Sequence, residues 1–454
     1  MMSQDIHHIK KIILFVICSL FLFHLSAAFF RYSKIPEWGT LIHGIILFIS
    51  LLYILVWILT ECKSLRDHLF CKLIIMLIYI SRGIIAIINE HYPILPKLGD
   101  VSYYHNMGID YSRELLIQGS GIGASAFGNY IIGIIYLILG QSPVLISLIN
   151  SFVYSMTVLI LIMICRELKF YNYWIVALTA WVLPSSYLYI PVMLRESIFL
   201  LFSVLLFYRL VILYGKESRS YNEHLIIIIL LLLATFIRPQ VFPIFILIYM
   251  ISLIYYQRGW KKIVSASFFL LSILIVSFSG LTLFQFVDSN LLNLYYFQLY
   301  RNAFSDLPNA YLVNIAYNDW FDFISYLPSF ITYFLFAPFP WILSNYKYFM
   351  ATMDSIITII ILSMTLFVVI RNLQMWKRHL VPISLCFFVI VLPFAMIEAY
   401  PMGAVRHRMI TTLMILPVFT CVLPIGVIRF GKKNDGSKQI IYADLDIDIS
   451  LQTK

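Results

Sequence analysis

Thr40 to Thr60 reads TLIHGIILFISLLYILVWILT, with no Asp, Glu, Lys or Arg. A run of this kind reaches the ~20 residues that a helix needs to cross the hydrocarbon core of a bilayer. Ile12 to Phe30 and Ile263 to Phe284 repeat the pattern. None alternates polar with apolar residues as the wall of a β-barrel does, so the runs predict α-helices, which satisfy their own backbone hydrogen bonds inside lipid. The whole chain agrees: its 454 residues are 61% hydrophobic and only 12% charged, with a mean hydropathy of +0.90. That charged share is about half the usual one, too little to cover a soluble surface. The predicted fold class is therefore all-α, a polytopic integral membrane protein. Ile12 to Phe30 lacks a small-residue cleavage site and further apolar runs follow at once, so it is expected to be a retained helix and not a secretory signal.

The formal charge of +10 comes from 32 Lys and Arg against 22 acids. The basic residues are spread over short loops, as the positive-inside bias produces, and do not form a nucleic-acid surface. The clusters His7 to Lys11, Lys63 to Lys72, Arg166 to Lys169, Lys216 to Arg219, Arg258 to Lys262, Arg371 to Arg378 and Arg429 to Lys433 are placed in the cytoplasm. The opposite face then receives a long loop over about 89–126, the turn Leu194-Arg195-Glu196, a break at Arg238-Pro239, a second long loop over about 285–328, and the turn Tyr400 to Arg408. Residues 329–343, interrupted by Pro338 and Pro340, read as a re-entrant or interfacial segment, because proline removes a donor and stops a helix. The chain is thus one transmembrane domain over 1–430 with a short polar cytoplasmic tail over 431–454, and about 12 crossings result. The six cysteines show no metal-ligand spacing. Neither a metal nor a cofactor is expected.

The residues able to carry chemistry collect on the face opposite the basic loops. Asp100, Tyr104 and Gly108 stand at i, i+4 and i+8, one face of a helix that Asp100 would begin. A carboxylate there suits a base acting on a sugar hydroxyl, and it equally suits a helix N-cap in a solvated loop. Arg195 and Glu196 lie between two apolar helices, where ionisable groups face a polar cavity, pair with each other, or sit in a turn among the headgroups. Arg238, at the joint of two short helices, suits a diphosphate or snorkels to the interface. Arg406, His407 and Arg408 run against the positive-inside bias, and fork-shaped guanidiniums bind phosphate oxygens bidentately. In the second loop Asp288, Arg301, Asp306, Asp319, Trp320 and Asp322 are interleaved with tyrosines. Such a loop fits sugar stacking and hydroxyl bonding, or an interfacial lid.

Three features together resemble bacterial polytopic glycosyltransferases of polysaccharide synthesis, the GT-C-type transferases and the O-antigen polymerases of the Wzy type. They are Asp-x-x-x-Tyr in the first large loop (Asp100, Tyr104), Leu-Arg-Glu-Ser after a Pro-Ser helix (Pro184, Ser185, Arg195, Glu196), and Pro-Phe-Pro-Trp (Pro338 to Trp341) followed by Arg-His-Arg (Arg406 to Arg408). The resemblance implies a polymerase of lipopolysaccharide O-antigen or capsule in the bacterial inner membrane, acting on undecaprenyl-diphosphate-linked oligosaccharide at the outer face. Asp100 would be catalytic, and Tyr104, Arg195, Glu196, Arg238, Arg406, His407 and Arg408 would bind substrate. The implied partners are the lipid-linked oligosaccharide, the bilayer and a membrane protein that regulates chain length. Two other readings stay open: addition of a single sugar from a polyprenyl-phosphate donor, and a flippase of lipid-linked oligosaccharide. The chain shows no internal repeat of the kind that marks many transporters.

Overall fold

The computed structural model describes residues 36–62, 65, 68–95, 99–117, 127–168, 172–215, 221–237, 249, 294–307, 309–341, 345–371, 391–392, 394–422, 428–432 and 438–442. Among the described residues fourteen helices run in the order α1 (Pro36–Glu61), α2 (Leu69–His91), α3 (Gly99–Ile117), α4 (Phe127–Leu139), α5 (Pro143–Glu167), α6 (Trp174–Val182), α7 (Pro184–Tyr189), α8 (Glu196–Gly215), α9 (Tyr221–Ile237), α10 (Leu294–Asn302), α11 (Trp320–Ser325), α12 (Leu327–Phe336), α13 (Tyr346–Arg371) and α14 (Pro401–Val422). Among the described residues only one element departs from the helical expectation, an antiparallel hairpin of β1 (Ile428–Lys432) and β2 (Lys438–Tyr442) that pairs Phe430 with Ile440. This hairpin departs from the all-α expectation for the tail.

Among the described residues four helices, α1, α2, α5 and α13, are long and apolar enough to cross a membrane, and on length and composition they mark the chain as a membrane protein. Their outward positions support this: Ile49, Leu69, Phe70, Leu366 and Ile370 are all more than half exposed, an apolar surface suited to lipid and not to water. The apolar runs Ile12 to Phe30 and Ile263 to Phe284 lie outside the described residues. The apolar window of α5 is 72% buried against 17% for α1, so α5 is the central post and α1 a peripheral one. The buried serines of α5 are satisfied locally. Ser147, Ser151 and Ser155 each donate to the carbonyl one turn earlier, on Pro143, Ser147 and Ser151, at 3.1, 2.9 and 3.0 Å, the pattern by which serines settle inside a helix.

Among the described residues three helix ends carry an arginine. The last carbonyls of a helix have no partner in the helix itself and attract a cation. Where α6 ends before Pro184, Arg82 of α2 donates to the carbonyls of Ala180 and Trp181 at 3.0 and 2.9 Å and to the Ser186 hydroxyl. Its guanidinium also lies 4.1 Å from the Tyr187 ring centre. Where α12 ends before Pro338, Arg408 of α14 donates to the carbonyls of Phe334, Leu335 and Ala337 at 3.2, 2.7 and 2.8 Å. Ahead of Pro401, Arg301 of α10 donates to Ala395, Met396 and Glu398 at 3.2, 3.2 and 3.0 Å. All three arginines are at most 1% exposed. At ten residues α12 is about 15 Å long, half of a hydrocarbon core.

Candidate functional site

The helix α3 is the amphipathic element of the first large loop, and its polar composition keeps it apart from the apolar posts. Its Asp100, Tyr104 and Gly108 do share a face. At Gly108 an added Cβ would stand 2.5 Å from Ile132 Cγ2 and 3.2 Å from Tyr136 Cε2, so glycine lets α3 lie directly on α4. Tyr104, one turn back, is 5% exposed, and burial pushes its phenol above the ordinary value. Asp100, a further turn back, reaches the end of α3 with half its side chain exposed.

The turn before α8 is held from below. Asn150 of α5 donates to the carbonyls of Val192 and Leu194, both at 2.8 Å, which fixes the backbone from which Arg195 and Glu196 project. The Arg195 guanidinium carbon lies 5.5 Å from the centre of the Tyr104 ring, within cation–π range. Its Nη1 donates to the carbonyl of Ile237, the last residue of α9, at 3.2 Å, while its Nε is buried without a hydrogen-bond partner among the described residues. Glu196 opens α8 and is fully buried.

Arg406, in the second turn of α14, closes the group. Its Nε donates to Glu196 Oε1 at 2.8 Å and its Nη2 donates to the same oxygen. Its Nη1 donates to Asp100 Oδ2 at 2.6 Å. One guanidinium thus joins two carboxylates that lie 306 and 210 residues away in the chain. The Arg406 side chain keeps 11% exposure, between the buried Glu196 and the half-exposed Asp100. With Arg195 beside it, the cluster holds two cations and two anions.

Of the predicted residues, the structure brings together Asp100, Tyr104, Arg195, Glu196 and Arg406. The expectation that Arg406, His407 and Arg408 form one compact anion-binding group gives way to a different geometry. Successive helical residues fan out by about 100°, so three in a row cannot converge. His407 pairs through Nδ1 with Glu398 Oε2 at 2.9 Å and stacks on Phe394 at 4.7 Å. Arg408 is fully buried, and besides the α12 carbonyls it holds Asp354 Oδ2 at 3.1 Å and Ser355 Oγ at 2.9 Å. Arg238 and Asp288 lie outside the described residues. In the second loop, Arg301 is a buried cap, and Asp319 caps α11 by accepting from the Asp322 amide at 2.7 Å. Among the described residues no three His, Cys, Asp or Glu side chains form a group able to hold a metal ion.

Sequence reasoning missed Arg82, Asn150, Asp354 and Glu398. The signal for Arg82 and Asp354 is present: each is a lone charge in an apolar run long enough to span, and such residues are retained for a partner. Comparison of the chain with protein-family models, curated proteins and solved structures finds no match.

Proposed function

We propose that this chain is a membrane glycosyltransferase of surface-polysaccharide synthesis with about 12 crossings, joining polyprenyl-diphosphate-linked repeat units at the outer face of a bacterial inner membrane. The observation that carries the reading is the Glu196–Arg406–Asp100 chain of ion pairs, which gathers residues from the first large loop, the turn before α8 and the start of α14. Transfer of a lipid-linked sugar requires a proton acceptor for the attacking hydroxyl and cations for the departing diphosphate. Asp100 is the half-exposed carboxylate and takes the proton. The hydroxyl oxygen bonds to the anomeric carbon as the bond from that carbon to the diphosphate oxygen breaks. The electron pair leaves with the diphosphate, where Arg406 and Arg195 offset the growing charge. Tyr104 sets the plane against which Arg195 lies.

The test is the lipopolysaccharide or capsule banding of a deletion strain complemented with the wild type and with Asp100→Asn. Collapse of a ladder to core plus one repeat unit, restored only by the wild type, is the expected result. Loss of every repeat-bearing band would instead indicate a single-sugar step earlier in assembly. An unchanged ladder in the deletion strain would overturn the reading.

A further inference from the structure

The two edges of the Arg406 guanidinium are held very differently. The Nε and Nη2 edge is fixed by two hydrogen bonds on Glu196, a carboxylate that no solvent reaches, so water cannot replace a bond that is lost there. Among the described residues the Nη1 corner is held by Asp100 alone, whose side chain is half exposed, so water competes for that carboxylate and the contact is the weaker of the two. Glu196 therefore aims the guanidinium, and Asp100 occupies the corner aimed outward. A carboxylate and a phosphate present the same pair of acceptor oxygens to a guanidinium.

From this asymmetry we infer that Asp100 is a resident stand-in for an anionic ligand: a phosphate oxygen exchanges with Asp100 Oδ2 on Arg406 Nη1, while Glu196 keeps Arg406 in place. The inference rests on the glycosyltransferase reading for the ligand's identity as a diphosphate, and it adds a coupling to it. In the resting protein Oδ2 of Asp100 is held by Arg406. Arrival of the diphosphate releases Oδ2, so the proton acceptor becomes available only when a donor sits on Arg406. Glu196 is then a positioning residue, and Arg195, 5.5 Å from the Tyr104 ring and with its Nε unpartnered among the described residues, is the second cation beside the exchanged group.

The experiment measures binding of inorganic pyrophosphate to the purified full-length chain in lipid nanodiscs by calorimetry at fixed ionic strength. Because an exposed ion pair is worth little, deleting the internal competitor with Asp100→Asn or Asp100→Ala is expected to tighten binding about two- to fivefold. Arg406→Lys, which keeps the charge and loses the fork, is expected to weaken it at least tenfold. Asp100 is exposed enough for both of its variants to fold, and thermal unfolding of each checks this. Unchanged or weaker binding in both Asp100 variants would overturn the exchange, as would absence of pyrophosphate binding in every variant. Either result obtained alongside an intact dependence of the polysaccharide ladder on Arg406 would remove the exchange and leave the transferase reading standing. A tightened pyrophosphate site with no ladder phenotype would remove the transferase reading and keep the exchange.

Discussion

Arg406 and Arg408 stand two residues apart on α14, and the molecule uses them in opposite ways. Arg406 bridges Glu196 and the half-exposed Asp100, so one of its corners faces solvent. Arg408 is sealed among Asp354, Ser355 and the carbonyls that end α12. Two residues on a helix differ by about 200° in direction, so one arginine points to the charged cluster and the other into the protein. The difference shows that a cluster of arginines in a short stretch does not by itself define a ligand site. What separates the two is the second partner: an exposed carboxylate that can be displaced, or a buried one that cannot.

The largest effect is expected at the buried arginine. Arg408→Ala leaves the Asp354 carboxylate without its cation and three carbonyls without their donor, a loss of about 3–5 kcal/mol. Thermal unfolding of purified protein should show a large drop, and abundance in cells should fall with it. Folding at wild-type stability would mean that Arg408 is not the staple it looks to be. Arg82→Met is expected to be milder. Among the described residues Arg82 caps carbonyls, hydroxyls and aromatic rings and pairs with no carboxylate, so its removal strands the Trp181 carbonyl, leaves Ala180 with the Tyr154 hydroxyl at 3.0 Å, and strands no charge. About 1–3 kcal/mol is expected, and if Arg82→Met proved as damaging as Arg408→Ala, the distinction between charge and carbonyl partners would fail. The smallest effect on folding is expected for Asp100→Asn, within about 1 kcal/mol because the ion pair is exposed. Its effect on polysaccharide product should nevertheless be complete, since an amide cannot take the proton.

The same contrast explains what was legible in the sequence. The face shared by Asp100, Tyr104 and Gly108 is local, set by helical spacing, and it survives in the packing of α3 on α4. The turn Leu194-Arg195-Glu196 is likewise local, and α8 begins at Glu196. The pairing of Asp100 with Arg406 is not local and no spacing encodes it. The fan of Arg406, His407 and Arg408 follows from helical spacing, because the stretch expected as a turn belongs to a helix. Arg82 and Asp354, and the capping role of Arg301, are hidden in the sequence for a different reason. Their partners are backbone carbonyls at helix ends or a single distant side chain, and these exist only once α6, α12 and the turn before Pro401 have been placed.

One measurement addresses the central claim most directly: Arg406→Lys and Arg408→Lys compared side by side in the deletion strain, with membrane abundance, thermal unfolding and polysaccharide product read for each. Lysine keeps the charge at both positions and removes the fork. Arg406→Lys is predicted to be present and folded, because its ammonium still meets Glu196, yet to make at most a tenth of the product. Arg408→Lys is predicted to be poorly folded and scarce, because one ammonium cannot serve Asp354, Ser355 and three carbonyls together. An Arg406→Lys protein with full product, or an Arg408→Lys protein that folds normally and lacks only activity, would contradict the assignment of one arginine to the site and the other to the fold.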